Sequence, residues 1–164
     1  MKTQIRKAKR EELDKIMGIY SRAKHFMEEH GNKNQWSGDD AIARDKIETM
    51  LEEGHLFAGE ENGEIQFVFA YILGEDPTYK VITDGSWLND AYYGTIHRLA
   101  SAGITKGVVK TVSGWALEQC PNLRIDTHHD NIVMQNALAN AGFTRCGIIY
   151  LANGDPRIAY QKVK

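Results

Sequence analysis

Three groups of residues in this 164-residue chain could do chemistry. The first is residues 95–107, Thr-Ile-His-Arg-Leu-Ala-Ser-Ala-Gly-Ile-Thr-Lys-Gly, which read as a short strand, a loop carrying Gly103, Lys106 and Gly107, and then a helix reaching Gln119. A helix that starts there offers first-turn amides with no intrahelical partner, at the positive end of the aligned peptide dipoles. Glycine lets an anion approach such a backbone closely, and Lys106 and Lys110 add charge of the right sign, so the loop is a candidate phosphate cradle. It contains neither Gly-x-x-x-x-Gly-Lys-Ser/Thr nor Gly-x-Gly-x-x-Gly, which lowers the weight of the ordinary nucleotide and dinucleotide folds.

The second group carries protons. His97 belongs to the residue type that changes charge near neutral pH. Asp126 and His128 share one face of the strand over residues 123–127 by the period of two and could act as a relay, with His129 opening the loop beyond. Adjacent strand residues point to opposite faces, so His128, His129 and Asp130 are not expected to hold a metal ion. Tyr150 and Tyr160, in a terminal hairpin, are candidate proton donors. The third group is the connection over residues 74–91, with Pro77, Gly85 and Trp87. It is longer than a compact domain usually tolerates, and is expected to be a lid or substrate loop with Trp87 at its tip.

These groups must be positioned by the elements around them. Residues 4–8 alternate as a first strand, and Leu13, Ile16, Met17, Tyr20, Lys24 and Met27 recur at helical spacing behind Glu11 and Glu12, up to Gly31. A polar loop over residues 32–38 precedes a second helix, expected to be capped by Asp39 or Asp40, with Ala43, Ile47, Met50 and Leu51 on one face and Gly54 as its stop. Residues 56–59 and 65–73 read as two strands joined through Asn62-Gly63, the second barely alternating and so buried. Past the glycine loop, Val108, Val112, Trp115 and Ala116 mark the inner face of a helix that gives way to the strand 123–127, which completes a βαβ unit with parallel strands. A helix over residues 131–141, capped by Asp130 or Asn131 and stopped by Gly142, leads to a hairpin of residues 148–151 and 158–161.

Length fits one domain spanning residues 1–164. A composition 42% hydrophobic and 26% charged, with a net charge of −2, gives no general drive toward nucleic acid or anionic lipid. No apolar run suits a signal region or a bilayer span, so a cytoplasmic protein with no membrane partner is expected. Cys120 and Cys146 are too few for a disulfide framework and are expected to be buried thiols.

A strand, two helices, an antiparallel meander, one βαβ unit and a terminal hairpin is the element order of the GNAT superfamily of acyl-CoA-dependent N-acetyltransferases, which the chain resembles over its whole length. Asp130-Asn131, Met134, Ala137-Leu138 and Ala141-Gly142-Phe143 are similar to the family's Asn-x-x-Ala-x-x-Leu-Tyr-x-x-x-Gly-Phe segment. Lys106-Gly107-Val108 resembles the core of its pyrophosphate loop, in the family's order and spacing. The chain looks close to bacterial members with Ile-His-Arg, Arg-Ile-Asp-Thr-His and Asp-Asn elements. Two positions depart from the pattern. Ile104 and Val109 stand at the outer positions of the Gln/Arg-x-x-Gly-x-Gly/Ala loop, and Leu138 stands where a tyrosine often serves as general acid.

The resemblance implies an α/β fold with a central mixed, mostly antiparallel sheet flanked by helices and a splayed parallel strand pair. It further implies acetyl-CoA as cofactor and direct acetyl transfer to a primary amine, on a small molecule or a peptide, with a possible homodimer. Leu99, Ala100, Ser101, Gly103, Thr105, Lys106, Gly107, Val108 and Asn131 would contact the cofactor. His97 is the first candidate for general base, with Asp126, His128 and Tyr150 behind it, and Trp36, Glu28 and Glu29 would line the acceptor side. The loop departures and Leu138 suggest a non-catalytic acyl-CoA-binding or sensing protein as an alternative, and a third reading, an acetyltransferase of protein N-termini or lysines, differs only in the acceptor.

Overall fold

The computed structural model describes residues 3–36, 42–103 and 106–164. Seven strands, β1 (Gln4–Lys7), β2 (Leu56–Glu61), β3 (Glu64–Leu73), β4 (Gly94–Ser101), β5 (Asn122–Thr127), β6 (Thr144–Tyr150) and β7 (Pro156–Val163), form a mixed sheet in the order β1-β2-β3-β4-β5-β7-β6. Four helices accompany it: α1 (Leu13–Glu29), α2 (Arg44–Glu52), α3 (Val108–Gln119) and α4 (Ile132–Asn140). The pairs β1–β2, β2–β3, β5–β7 and β6–β7 are antiparallel, and β4–β5 is parallel. This is the mixed α/β arrangement that the sequence leads one to expect.

Two compact units divide the chain, one of residues 1–71 with 97–108 and one of residues 72–96 with 109–164. In the first, Leu13, Ile16, Ile19 and Tyr20 of α1 and Ile47 and Met50 of α2 are buried in one cluster with Leu56, Val68 and Ala100. The apolar spacing of α1 produces this face, because residues three and four apart stack on one side of a helix. Helix α2 begins later than expected, at Arg44, with Ala43 as its N-cap and no side-chain capping bond. The expected caps Asp39 and Asp40, and Gly38, lie outside the described residues. The run Phe67-Val68-Phe69-Ala70 is wholly buried, as the lack of alternation implied.

In the second unit the ladder of β4 with β5 consists, among the described residues, of Gly94–Leu123 and Thr95–Arg124. β7 pairs with β5 over residues 122–127 and with β6 on its other side. Asn131 caps α4, its Oδ1 accepting from the Met134 amide at 3.0 Å, and Gly142 follows with φ 87°.

The connection over residues 74–91 is not the lid that its length suggested. A 3₁₀ turn at Pro77–Tyr79 drives Tyr79 into a buried cluster with Tyr93, Ile149 and Ala159. The Thr83 amide donates to the Ile148 carbonyl at 2.9 Å and the Ile148 amide to the Thr83 carbonyl at 2.8 Å, which extends the sheet beyond β6. Gly85 lies so close to this edge that a Cβ there would stand 1.9 Å from the Cys146 carbonyl oxygen. The Leu88 amide donates to Gln161 Oε1 at 2.8 Å, and Trp87 Nε1 donates to the Tyr79 carbonyl at 2.9 Å. The connection covers its unit's core and carries part of it. Among the described residues no helix is long and apolar enough to cross a membrane.

Candidate functional site

In the first unit several of the candidate residues lie at the end of β4. His97, Arg98 and Leu99 are half-buried and Ala100 is buried. Arg98 adopts φ 52°, a left-handed conformation rarely found within a strand, and the buried Tyr20 hydroxyl donates to its carbonyl at 2.8 Å. The regular pleat is therefore broken one residue beyond His97. The loop then tightens: Ser101 Oγ accepts from the Gly103 amide at 2.9 Å, and Gly103 and Gly107 both have positive φ, 85° and 69°. The Arg22 guanidinium of α1 donates to the Ser101 carbonyl at 3.4 Å and fills the space where a Gly103 side chain would begin. A Cβ there would lie 2.1 Å from Arg22 Nη2. Lys106 and Gly107 are exposed, and Val108 opens α3, so two cations stand by a loop that ends at a helix N-terminus. Ile104 and Thr105 lie outside the described residues.

In the second unit the face of β5 that carries Arg124 and Asp126 meets the aromatic groups of the 74–91 connection. The Tyr79 hydroxyl donates to Asp126 Oδ2 at 2.6 Å; burial first, and then the Asp126 charge, hold this phenol well above its ordinary pKa. The Arg124 central carbon lies 4.1 Å from the Trp87 ring centre and 4.0 Å from that of Tyr93. A cavity of about 330 Å³ opens here, lined by Glu75, Tyr79, Lys80, Trp87, Asp90, Tyr93 and Arg124. At the end of β5, His128 is buried and its Nδ1 accepts from the Asp130 amide at 3.0 Å. Burial, then Arg157 and His129, keep its pKa below the ordinary value.

No family model matches the sequence, and no curated protein is similar enough to count as a relative. Solved structures give the answer. An acetyltransferase of the GNAT family from Streptococcus agalactiae is 32% identical, with 99% of this chain and 95% of that chain aligned at a TM-score of 0.90. This chain belongs to the GNAT family of acetyltransferases. A GNAT-family acetyltransferase from Listeria monocytogenes shares the fold at 20% identity and a TM-score of 0.69, over 99% of this chain and 95% of that one. AAC(6')-Ib, solved with paromomycin and acetyl-CoA, shares it at 17% identity and a TM-score of 0.67, over 100% and 94% of the two chains.

Several residues that sequence and GNAT resemblance pointed to are placed differently from what was expected. Trp36 is a core residue, 7% exposed and edge-to-face with Tyr20 at 5.9 Å, rather than a wall of an acceptor groove. Glu29, at the end of α1, is exposed and pairs with His25 at 2.7 Å, one helical turn away. Asp126 and His128 form no relay: Asp126 is engaged by Tyr79 and His128 by the backbone of Asp130. The His128 and His129 rings stack at 4.3 Å instead of pointing apart, because the strand ends at Thr127 and the chain turns, the Asn131 amide donating to the His128 carbonyl. With Asp130 they present ligand atoms within 4.8 Å of one another, next to the Arg157 cation. Tyr150 is 42% exposed, its hydroxyl 3.1 Å from Thr83 Oγ1, on a strand that β7 separates from β5. Tyr160 is buried in β7, and burial raises its pKa. Leu138 is fully buried in α4. Sequence reasoning passed over Arg22, Tyr79, Tyr93 and Arg124. The signal for three of them was the density of aromatics in a polar connection ahead of a strand arginine.

Proposed function

We propose that this GNAT protein is an acetyl-CoA-dependent N-acetyltransferase that passes acetyl directly to a primary amine of a small molecule, with residues 1–164 working as one catalytic domain. The observation that carries the reading is the 101–107 loop: two glycines at positive φ, an amide turned back on Ser101 Oγ and two flanking cations, all leading into α3. Such a loop suits a pyrophosphate, and the AAC(6')-Ib structure with acetyl-CoA supports the choice of cofactor. Gly103, Thr105, Lys106, Gly107 and Val108 would hold the phosphates, while Leu99, Ala100, Ser101 and Asn131 would contact the rest of the cofactor. The left-handed Arg98, which breaks the regular pleat of β4, is in keeping with a strand end whose backbone could meet a thioester carbonyl.

Acetyl-CoA, when bound, supplies the activated acyl group. The chain must then provide a neutral amine, and His97 is the residue we assign to take its proton, directly or through one water. The buried Leu138 offers no phenolic donor, so solvent or a tyrosine of the terminal hairpin, Tyr150 or Tyr160, would supply the proton for the thiol. A small-molecule acceptor is favoured by the half-open cavity beside Trp87, which has the size of a small ligand pocket.

Titration calorimetry with acetyl-CoA tests the cofactor half of the reading. Gly107 has φ 69° and an open side-chain direction. Gly107→Asp therefore adds backbone strain and a like charge at the phosphates without disturbing the core, and acetyl-CoA affinity is expected to fall below detection while the circular dichroism spectrum is kept. Unchanged affinity would remove the phosphate assignment.

A further inference from the structure

Arg124 is a buried charge with no carboxylate bonded to it among the described residues. Its side chain belongs to a residue only 4% exposed, and burying a cation is costly unless a carboxylate or a full set of hydrogen bonds compensates it. Here Nη2 donates to the Asn89 carbonyl at 2.8 Å, the Trp87 and Tyr93 rings lie against the central carbon, the Tyr93 side chain adds a neutral hydrogen-bond partner, and among the described residues no carboxylate comes within ion-pair distance. Nε is buried with no hydrogen-bond partner. A second orphan stands beside it: Thr95 Oγ1, also buried and unpartnered, belongs to the residue paired with Arg124 across the β4–β5 ladder. Paired residues on neighbouring strands project to the same face, about 5 Å apart. Two unmet polar groups therefore belong to paired residues of the ladder, and one of them, Arg124, also lines the cavity.

Rings satisfy a guanidinium's faces but accept no N–H···O bond of ordinary strength, so what is missing is an in-plane oxygen acceptor with negative charge. The remaining charges in the lining fall into two kinds. Lys80 is turned toward Glu75, Nζ to Oε2 3.9 Å, and is largely cancelled. Asp90 is exposed and acts on Arg124 only through space. An occupant that put an anion on Arg124 would therefore find a carboxylate, Asp90, for a cationic or amine group at its other end.

We infer that this cavity binds the acceptor, and that the acceptor is a small amine that also bears a carboxylate, held by Arg124. The assignment rests on the proposed acetyltransferase reading for its chemistry, but the binding site stands on Arg124 alone. Arg124 is then a specificity residue: it selects the anionic end and takes no part in moving the proton.

The test uses ω-amino acids from glycine to 6-aminohexanoate, each beside its own amide, which keeps the amine and removes the charge. With acetyl-CoA saturating, at least one acid is expected to show kcat/KM roughly tenfold to a hundredfold above that of its amide, since a charged hydrogen-bonded pair is worth about that much. Arg124→Lys, which keeps the charge but loses the planar fork, should erase most of that preference by raising KM for the acid, with acetyl-CoA affinity unchanged. Because Arg124 is buried, the exposed Asp90→Asn serves as a second variant that does not threaten the fold, and it should raise KM for the same acid severalfold. Equal turnover of acids and amides, with neither variant changing KM, would overturn the inference and leave the acetyltransferase reading intact. Binding of the acids by calorimetry, lost in Arg124→Lys, in a protein that releases no CoA would uphold the site and sink the acetyltransferase reading instead.

Discussion

His97 is half-buried on β4, one residue before the left-handed Arg98, and this is the side chain assigned to the amine proton. His97→Ala is expected to slow acetyl transfer about a hundredfold or more while acetyl-CoA affinity changes little, because general-base help is typically of that size. Steady-state rates across pH, with calorimetry on the same variant, check both halves: the acidic limb should shift or vanish. A variant that stays folded and fully active would end the assignment. A second histidine gives a stability signature. Burial, Arg157 and His129 lower the pKa of His128 from 6.5, against the weaker opposing pull of Asp130 and Asp155. As pH falls, the unfolded chain takes up this proton first, so the stability His128 contributes is complete above pH about 6.5 and is lost as pH drops through that value toward the folded pKa. Melting temperature should decline over this window and the decline should flatten in His128→Gln. Glu12, whose pKa lies below 4.5 chiefly because Arg6 is bonded to it, titrates at lower pH and does not blur the reading.

At the scale of elements, helices and strands were legible in the sequence where one face is apolar or a turn has a chemical marker. Examples are the three-and-four spacing of α1, the Asn62-Gly63 turn and the Asn131 cap of α4. What was not legible was contact between segments far apart in the chain. Trp36 reads as an exposed aromatic in a polar loop until Tyr20 is seen against it, and Tyr79 gives no periodic signal because it sits in a single 3₁₀ turn. The same applies to His128 and His129, whose alternation lapses once the strand ends at Thr127. The 74–91 connection is the largest such case: its length suggested a lid, whereas Gly85 against Cys146 and Thr83 against Ile148 tie it to the sheet edge. Gly85→Ala forces a methyl into a backbone carbonyl and should cost about 1–3 kcal/mol in denaturant unfolding, with acetyl-CoA affinity kept. A variant as stable as the wild type would show that this edge is free to move.

For the whole molecule, the order of elements and two short motifs were enough to suggest the GNAT family, and the 32% identical relative from Streptococcus agalactiae shows it. The glycine loop stood out in the sequence because anion binding, the role proposed for it, depends on backbone and glycine, which leave a local trace. Of the proposed acceptor cavity only Trp87 stood out, because Arg124 and Tyr93 join it through the packing of the connection onto β5. The central claim is catalysis, and Leu138 in place of a phenolic acid is the feature that most invites the opposite view, a protein that binds acyl-CoA and does nothing more. Release of free CoA thiol from acetyl-CoA, followed in the presence of a broad panel of primary amines with mass spectrometry of the products, separates the two. Amine-dependent release with a matching N-acetylated product is the expected result; tight acetyl-CoA binding with no amine-dependent release from any member of the panel would contradict it.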